Sequence, residues 1–163
     1  MTRQRNLLAT AIGALCAGVL YYAFSRQSEH VYFLSHWLPP FSLSADFIVP
    51  FGDYLPTFIH VYAFILLTVV VAAPCGPRIL YVCFGWFILD SLLEVAQKDP
   101  IAHWIALHTP HWFSGIPFLE NTANYFLFGT FDVLDLLSIA AGTTAAYLTV
   151  HITQGGLQYE KPT

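Results

Sequence analysis

The feature that most constrains this chain is a run of 19 uncharged residues near its start, from Asn6 to Phe24. A helix of that length crosses the hydrocarbon core of a bilayer, which is about 30 Å thick. Three more apolar runs of similar length follow, at residues 56–73, 78–97 and 130–150. We therefore predict an all-α integral membrane protein, a four-helix bundle in which residues 1–163 form a single membrane domain.

The composition agrees with this class and argues against others. Of all residues, 56% are apolar and 10% are charged, whereas a soluble domain carries about 25% charged residues. A soluble fold of this size would lack the polar surface to cover itself, which argues against a soluble enzyme. The high apolar content argues against disorder. Six basic residues against ten acidic ones, without a basic stripe, argue against a nucleic-acid partner. The expected environment is a lipid bilayer.

The basic residues predict an orientation. The first run exceeds the usual signal-peptide core of about 7–15 residues, and no convincing cleavage site follows it, so we expect an uncleaved helix. With a cytoplasmic N-terminus, four basic residues lie inside and two outside, as the positive-inside rule favours. The inside group is Arg3, Arg5, Arg78 and Lys161, and the outside group is Arg26 and Lys98. We expect a multi-pass protein of the bacterial inner (cytoplasmic) membrane, with both termini cytoplasmic and two long aromatic loops, residues 25–55 and 101–130, facing outward.

Acidic side chains inside the apolar runs carry most of the functional information, because a charge at the bilayer centre costs about 2.5–3.5 kcal/mol. Asp90, Glu94 and Gln97 share one face of the third span, at positions i, i+4 and i+7. Asp132 and Asp135 share a face at the start of the fourth span. We predict Thr130 as the N-cap of the fourth span, with Asp132 as a first-turn acid that favours the helix dipole; dipole and capping alone would explain Asp132.

His60 lies about one turn inside the second span, after Asp53 and Tyr54 in the preceding loop. Because successive spans alternate in direction, all these ionisable groups fall in the outer leaflet. We therefore predict one polar pocket that opens outward between spans two, three and four. The alternatives are a structural hydrogen-bond network for the acids and an ordinary core histidine for His60.

Several chemistries are open to such a pocket. Neighbouring carboxylates in low dielectric cannot all stay ionised, so they share protons or bind a cation. A protonated acid beside an ionised one supports acid/base catalysis, and carboxylates with imidazole suit a divalent metal. The second loop adds His103, His108 and His111, whose spacing is also common in interfacial aromatic loops. The sequence contains no HExxH, GxSxG or P-loop motif, and it leaves both metal and cofactor open.

Two segments carry a family resemblance. The first is DYLPTFIHVYAF, from Asp53 to Phe64, and the second is Glu94-x-x-Gln97 followed by FDVLD, which ends at Asp135, and by Gly142. In this order the motifs resemble those of the VanZ-like family of small polytopic membrane proteins, over about residues 50–150. The family commonly has an Arg before the Asp-rich helix start, where this chain has Gly129-Thr130. The resemblance implies a membrane location, four or more helices and a link to the cell envelope, but no reaction.

Three hypotheses about function follow. In the first, the chain is a non-enzymatic envelope protein that binds a lipid-linked or peptidoglycan-related ligand, or a membrane partner protein, with Asp53, Gln97 and Tyr62 as ligand-binding residues. In the second, it is an intramembrane acid/base or metal-dependent hydrolase or transferase that acts on a lipid headgroup. The catalytic residues would then be Asp90, Glu94, Asp132, Asp135 and His60. The third is a small proton-coupled transporter, for which the chain shows no inverted repeats.

Overall fold

The computed structural model of the chain describes residues 2–25, 54–117 and 119–155. Of these residues 85% are helical and none lies in a strand, which confirms the all-α prediction. Six α-helices follow one another: α1 (Thr2–Ser25), α2 (Leu55–Ala72), α3 (Arg78–Val95), α4 (Asp99–His108), α5 (Thr122–Phe128) and α6 (Val133–Gly155). Two short 3-10 turns, His111–Phe113 and Leu119–Asn121, lie between α4 and α5.

Two helices of the described residues, α2 and the segment Val133–Thr153 of α6, are long and apolar enough to cross a membrane. Helices α3 and α4 meet the same criterion only as a pair, and the pair is bent by 94° at its break. Two or three candidate spans are therefore present in this part of the chain. All four predicted runs are helical, but four membrane spans are not shown.

Helix α2 lies at the centre of the bundle and packs against α1, α3 and α6. Among the described residues, α2 contributes four of the eleven buried core side chains, and α1, α3 and α6 contribute the rest. The α2 members are Val61, Ile65, Leu66 and Val69. Because helical periodicity brings these positions toward three neighbouring helices, α2 has to be apolar around most of its circumference.

The chain directions bring three helix ends together. Gly18, late in α1, lies against Ile59, early in α2, while Leu7 and Ala11 of α1 belong to the same core as the deeper part of α2. Helices α1 and α2 are therefore antiparallel. After the tight turn that follows α2, α3 runs back toward the start of α2, and α6 begins at that same end. The opposite end carries Arg3, Arg5 and Arg78.

The turn between α2 and α3 depends on positive φ angles. Ala73 has φ 44° and Gly76 has φ 57°. The backbone N–H of Ala73 donates to the carbonyl oxygen of Val69 at 3.0 Å, which ends α2. A left-handed conformation costs a non-glycine residue about 1–2 kcal/mol, so Ala73 is a strained position and Gly76 is not.

The predicted second loop, residues 101–130, is more regular than the sequence indicates. It contains most of α4 and all of α5, and these two helices pack against each other. Pro100 explains part of this difference between prediction and structure. The sequence indicates that it ends the third span, but a proline is also favourable in the first turn of a helix, and Pro100 occupies that position in α4. Residues 26–53 of the predicted first loop lie outside the described residues.

Candidate functional site

Two acidic side chains are buried one turn apart near the end of α3. Asp90 is 6% exposed and Glu94 is 7% exposed. Both lie at the end of the bundle where α2 and α6 begin. A buried ionised group without partners costs on the order of several kcal/mol, so the contacts of each carboxylate determine what this region can do.

Glu94 connects α3 to the start of α6. Its Oε1 accepts the backbone N–H of Asp132 at 2.9 Å. Asp132 in turn caps α6, because its Oδ1 accepts the backbone N–H of Leu134 at 2.9 Å. The prediction that Thr130 caps this helix is therefore wrong: α6 begins at Val133 and Asp132 is its cap.

Two hydroxyl groups at the start of α2 bind the acids of α6. The O–H of Tyr54 donates to Oδ2 of Asp132 at 3.0 Å, and the O–H of Thr57 donates to Oδ1 of Asp135 at 2.8 Å. The sequence reasoning did not identify Thr57. Its spacing of three residues from both Tyr54 and His60 was the available signal, since such positions share one helix face.

His60 and Asp90 face each other between α2 and α3. The imidazole Nδ1 lies 3.5 Å from Oδ2 of Asp90, and the His60 side chain is 48% exposed whereas that of Asp90 is 7% exposed. Neither oxygen of Asp90 accepts a hydrogen bond from any residue that the structure describes. Asp90 is therefore a buried carboxylate whose hydrogen-bonding capacity is unused within the described chain.

Aromatic rings hold the imidazole of His60 from one side. The centroid of the Phe64 ring lies 4.5 Å from the centroid of the imidazole, and the centroid of the Trp86 ring lies 6.4 Å from it. Trp86 is fixed in turn by its Nε1–H, which donates to Oγ1 of Thr68 at 2.9 Å. The pair of His60 and Asp90 is therefore preorganised by packing.

Gln97 and Tyr125 border the acids on the side of α5. The Gln97 amide donates to the Tyr125 hydroxyl at 3.3 Å. A Cβ at position 129 would meet the Gln97 side chain and would lie 2.8 Å from the Tyr125 carbonyl oxygen, so Gly129 makes room for this contact. Partial burial raises the pKa of Tyr125, and the charge of Glu94 raises it further. Tyr125 is a neutral hydroxyl beside the acids, and no sequence pattern in the predicted loop identified it.

We use the name acid site for this arrangement at the shared helix ends. It comprises Asp90, Glu94, Asp132 and Asp135, with His60, Tyr54, Thr57, Gln97 and Tyr125 around them. The structure therefore brings the five residues predicted as catalytic, together with Gln97, to one end of the bundle.

Tyr62, another residue predicted to bind a ligand, lies away from the acid site. The Tyr62 hydroxyl lies 3.2 Å from Oγ1 of Thr149, and its ring stacks on Phe58 at 6.0 Å, so it joins α2 to α6 farther along the bundle. Positions 60 and 62 differ by about 200° around a helix, which turns their side chains to different sides. Asp53 lies outside the described residues.

Two of the three histidines of the second loop, His103 and His108, bond within α4. His103 Nδ1 lies 2.9 Å from the carbonyl oxygen of Asp99, and His108 Nδ1 lies 2.7 Å from that of Trp104. Across residues 2–25, 54–117 and 119–155, no three His, Cys, Asp or Glu side chains form a group that could hold a metal ion.

An apolar groove adjoins the acid site between α2 and α6. It has a volume of about 370 Å³ and is lined by Tyr54, Leu55, Phe58, Leu134, Leu137, Ser138 and Ala141. Tyr54 and Leu134 both bond Asp132 as described, so the groove and the acid site share a rim. The Nζ of Lys98 lies 4.2 Å above the centroid of the ring of Phe131, the residue before Asp132.

Comparison of this chain with protein-family models, with curated proteins and with solved structures found no match.

Proposed function

We propose that the chain is a multi-pass protein of the bacterial inner membrane whose acid site binds a lipid-linked or peptidoglycan-related ligand of the cell envelope. The observation that carries the proposal is Asp90, a carboxylate that is 6% exposed and that accepts no hydrogen bond from the described residues. A buried charge of this kind is expensive, and intramembrane acids are typically retained for function.

The outer surface of the bundle supports the membrane part of the proposal. Large apolar side chains on three helices are at least half exposed, among them Val71, Phe84, Leu137 and Leu148. Soluble proteins rarely expose contiguous apolar surface on this scale, whereas lipid covers it without cost. We propose α1 as the fourth span, because it contains the 19-residue uncharged run.

The distribution of arginine supports the orientation. Arg3, Arg5 and Arg78 lie at the end opposite the acid site, and basic residues favour the cytoplasmic side. In this orientation the acid site faces the outside of the cytoplasmic membrane, where lipid-linked envelope precursors and peptidoglycan are found. The VanZ-like resemblance is part of the same proposal, since its motif residues Glu94, Gln97, Asp132 and Asp135 belong to the acid site.

The test is native mass spectrometry of the full chain, purified in detergent and incubated with a bacterial envelope extract that contains lipids, lipid-linked precursors and muropeptides. We expect one bound species in the wild type that Asp90→Asn and Glu94→Gln lose. Both substitutions keep the side-chain shape, and Glu94→Gln keeps the oxygen that accepts the Asp132 N–H. Glu120→Gln is the matched control, because Glu120 is exposed in the turn before α5. Retention of the same species by all four proteins would contradict the proposal.

The contact between His60 and Asp90 supports a second candidate, an intramembrane hydrolase or transferase. A carboxylate beside one imidazole nitrogen orients the ring, and the other nitrogen then serves as a general base. If this candidate holds, protein in nanodiscs converts a labelled envelope lipid to a new product, and His60→Gln abolishes conversion while the lipid stays bound. A bound lipid that is recovered unchanged from the wild type argues for binding alone.

A further inference from the structure

We propose that α4 is an interfacial membrane helix, whose exposed apolar face lies between the phospholipid headgroups and the upper acyl chains at the end of the bundle that carries the acid site. This inference rests on the membrane part of the proposed function and does not depend on which ligand the acid site binds.

The bend before α4 sets the direction of this helix. Helices α3 and α4 are bent by 94° relative to each other at their break. Glu94, near the end of α3, accepts the backbone N–H of Asp132 just before α6, so the bend lies at the end of the bundle where α6 begins. Because α3 packs along α6, α4 lies nearly parallel to the surface of a membrane that α6 crosses. The ten residues of α4 extend about 15 Å, and a hydrocarbon core of about 30 Å is too thick for them to cross.

The outward face of α4 is apolar although it is exposed. Ala102, which is 2% exposed, marks the inward side, and α5 is the helix that packs against α4. On the outward side Ile101, Trp104 and Leu107 follow one another at intervals of three residues, which keeps them within about 120° of one another around the helix. Trp104 is 61% exposed and Leu107 is 83% exposed. A helix that is apolar on its outer side as well as its inner side needs a second apolar neighbour.

The polar groups of α4 lie away from the centre of this apolar face. Asp99 precedes Trp104 by five residues, which is about 140° around a helix. The Asp99 side chain is 95% exposed, and its Oδ1 lies 3.6 Å from Nδ1 of His103. A helix with tryptophan and leucine on one side and polar groups on the other is typical of segments that lie in the plane of the membrane interface. Tryptophan is also the residue that collects at that depth, and the exposed Trp112 follows in the next turn.

The apolar surface of α4 continues that of α3, which identifies lipid as its occupant. Helix α3 exposes Phe84, Ile88 and Leu92, and their spacing of four residues places them in one stripe that leads toward the bend. The exposed apolar positions resume at Ile101, just after the bend. A bilayer covers the stripe of α3 and the face of α4 with one continuous medium, acyl chains along the first and the headgroup boundary along the second.

The experiment measures where spin labels on α4 lie relative to lipid and water. The full chain is reconstituted in phospholipid nanodiscs after its three cysteines, Cys16, Cys75 and Cys83, are replaced by alanine. Nitroxide labels are attached in separate variants, Trp104→Cys on the apolar face and Asp99→Cys on the polar side of the same helix. Power saturation then compares collisions with molecular oxygen, which dissolves in lipid, and with a nickel chelate, which stays in water.

We expect the ratio of oxygen to chelate collisions to be several-fold higher at position 104 than at position 99. Leu107→Cys repeats the measurement with the tryptophan in place and should resemble position 104. Circular dichroism establishes that each labelled variant is folded. Chelate collisions at 104 and 107 as frequent as at 99 overturn the inference, because α4 would then be in water. Shielding of 104 and 107 from both colliders overturns it as well, because protein would then cover the face.

A label on α3 separates failure of this inference from failure of the proposed membrane location. Phe84 is 59% exposed in the middle of α3, so a label at Phe84→Cys should collide with oxygen and not with the chelate wherever α4 lies. If position 84 is in lipid and position 104 is in water, the interfacial helix fails and the membrane location stands. If both positions are in water, both fail.

Discussion

The hydrogen bond between Glu94 and the backbone of Asp132 gives a stability prediction that separates the oxygen of the glutamate from its charge. Glu94→Ala removes the acceptor and leaves the N–H at the start of α6 without its partner. An unsatisfied buried donor costs about 1–3 kcal/mol. Glu94→Gln keeps an oxygen at the same place and removes a charge that lies close enough to Asp132 and Asp135 to interact electrostatically with both. We expect Glu94→Ala to lose about 2 kcal/mol of unfolding free energy, and Glu94→Gln to match or exceed the wild type.

The assay is equilibrium unfolding of the full chain in mixed micelles of increasing SDS mole fraction, followed by tryptophan fluorescence and circular dichroism. A difference of 1.4 kcal/mol changes the folded-to-unfolded ratio about tenfold, so the two variants should separate clearly. Glu120→Ala is the exposed control and should stay within about 0.5 kcal/mol of the wild type. The reasoning is refuted if Glu94→Gln destabilises the chain as much as Glu94→Ala, because the charge and not the acceptor would then hold α3 to α6.

Three further predictions use the same unfolding assay. Ala73→Gly should stabilise the chain by about 1 kcal/mol, since glycine adopts the positive φ of the α2 cap without strain; no gain would show that the cap is not strained. Gly142→Ala should destabilise it, because the added Cβ would lie 2.7 Å from the backbone oxygen of Phe58, and a wild-type transition would argue against the close approach of α2 and α6. The raised pKa of Tyr125 means that its neutral form is favoured in the folded state, so its contribution is complete below its ordinary pKa of 10.0 and is lost as the pH rises through the higher folded value. Tyr125→Phe should therefore remove part of the alkaline loss of stability, whereas an identical alkaline profile would contradict the placement of Tyr125 beside Glu94.

Long-range features of the fold could be predicted from the sequence where a strong physical pattern determines them. The uncharged run that starts at Asn6 and the three later apolar runs predict helices, because length and hydropathy together leave few alternatives. The meeting of Asp90, Glu94 and Asp132 at one end follows from the alternating direction of successive spans. Neither argument requires knowledge of a single contact.

Local features could not be predicted from the sequence, because several residues satisfied the same rule. Thr130 was predicted as the cap of α6, but Asp132 is equally suited by residue type, and the path of the chain entering α6 places Asp132 there. Tyr62 belongs to the same sequence motif as His60, yet helical rotation directs it toward Thr149. Helices α4 and α5 are short and aromatic, so apolar periodicity did not distinguish them from an interfacial loop, and Tyr125 was missed with them.

Because Trp86 packs against His60, the intrinsic tryptophan fluorescence of the protein can report on this site. The indole of Trp86 lies edge-on to the imidazole, with ring centroids 6.4 Å apart and planes at 88°. The chain has four tryptophans, and replacing Trp37, Trp104 and Trp112 by phenylalanine would leave Trp86 as a single fluorophore that reports, without any added label, when a bound molecule displaces the imidazole of His60 from the indole.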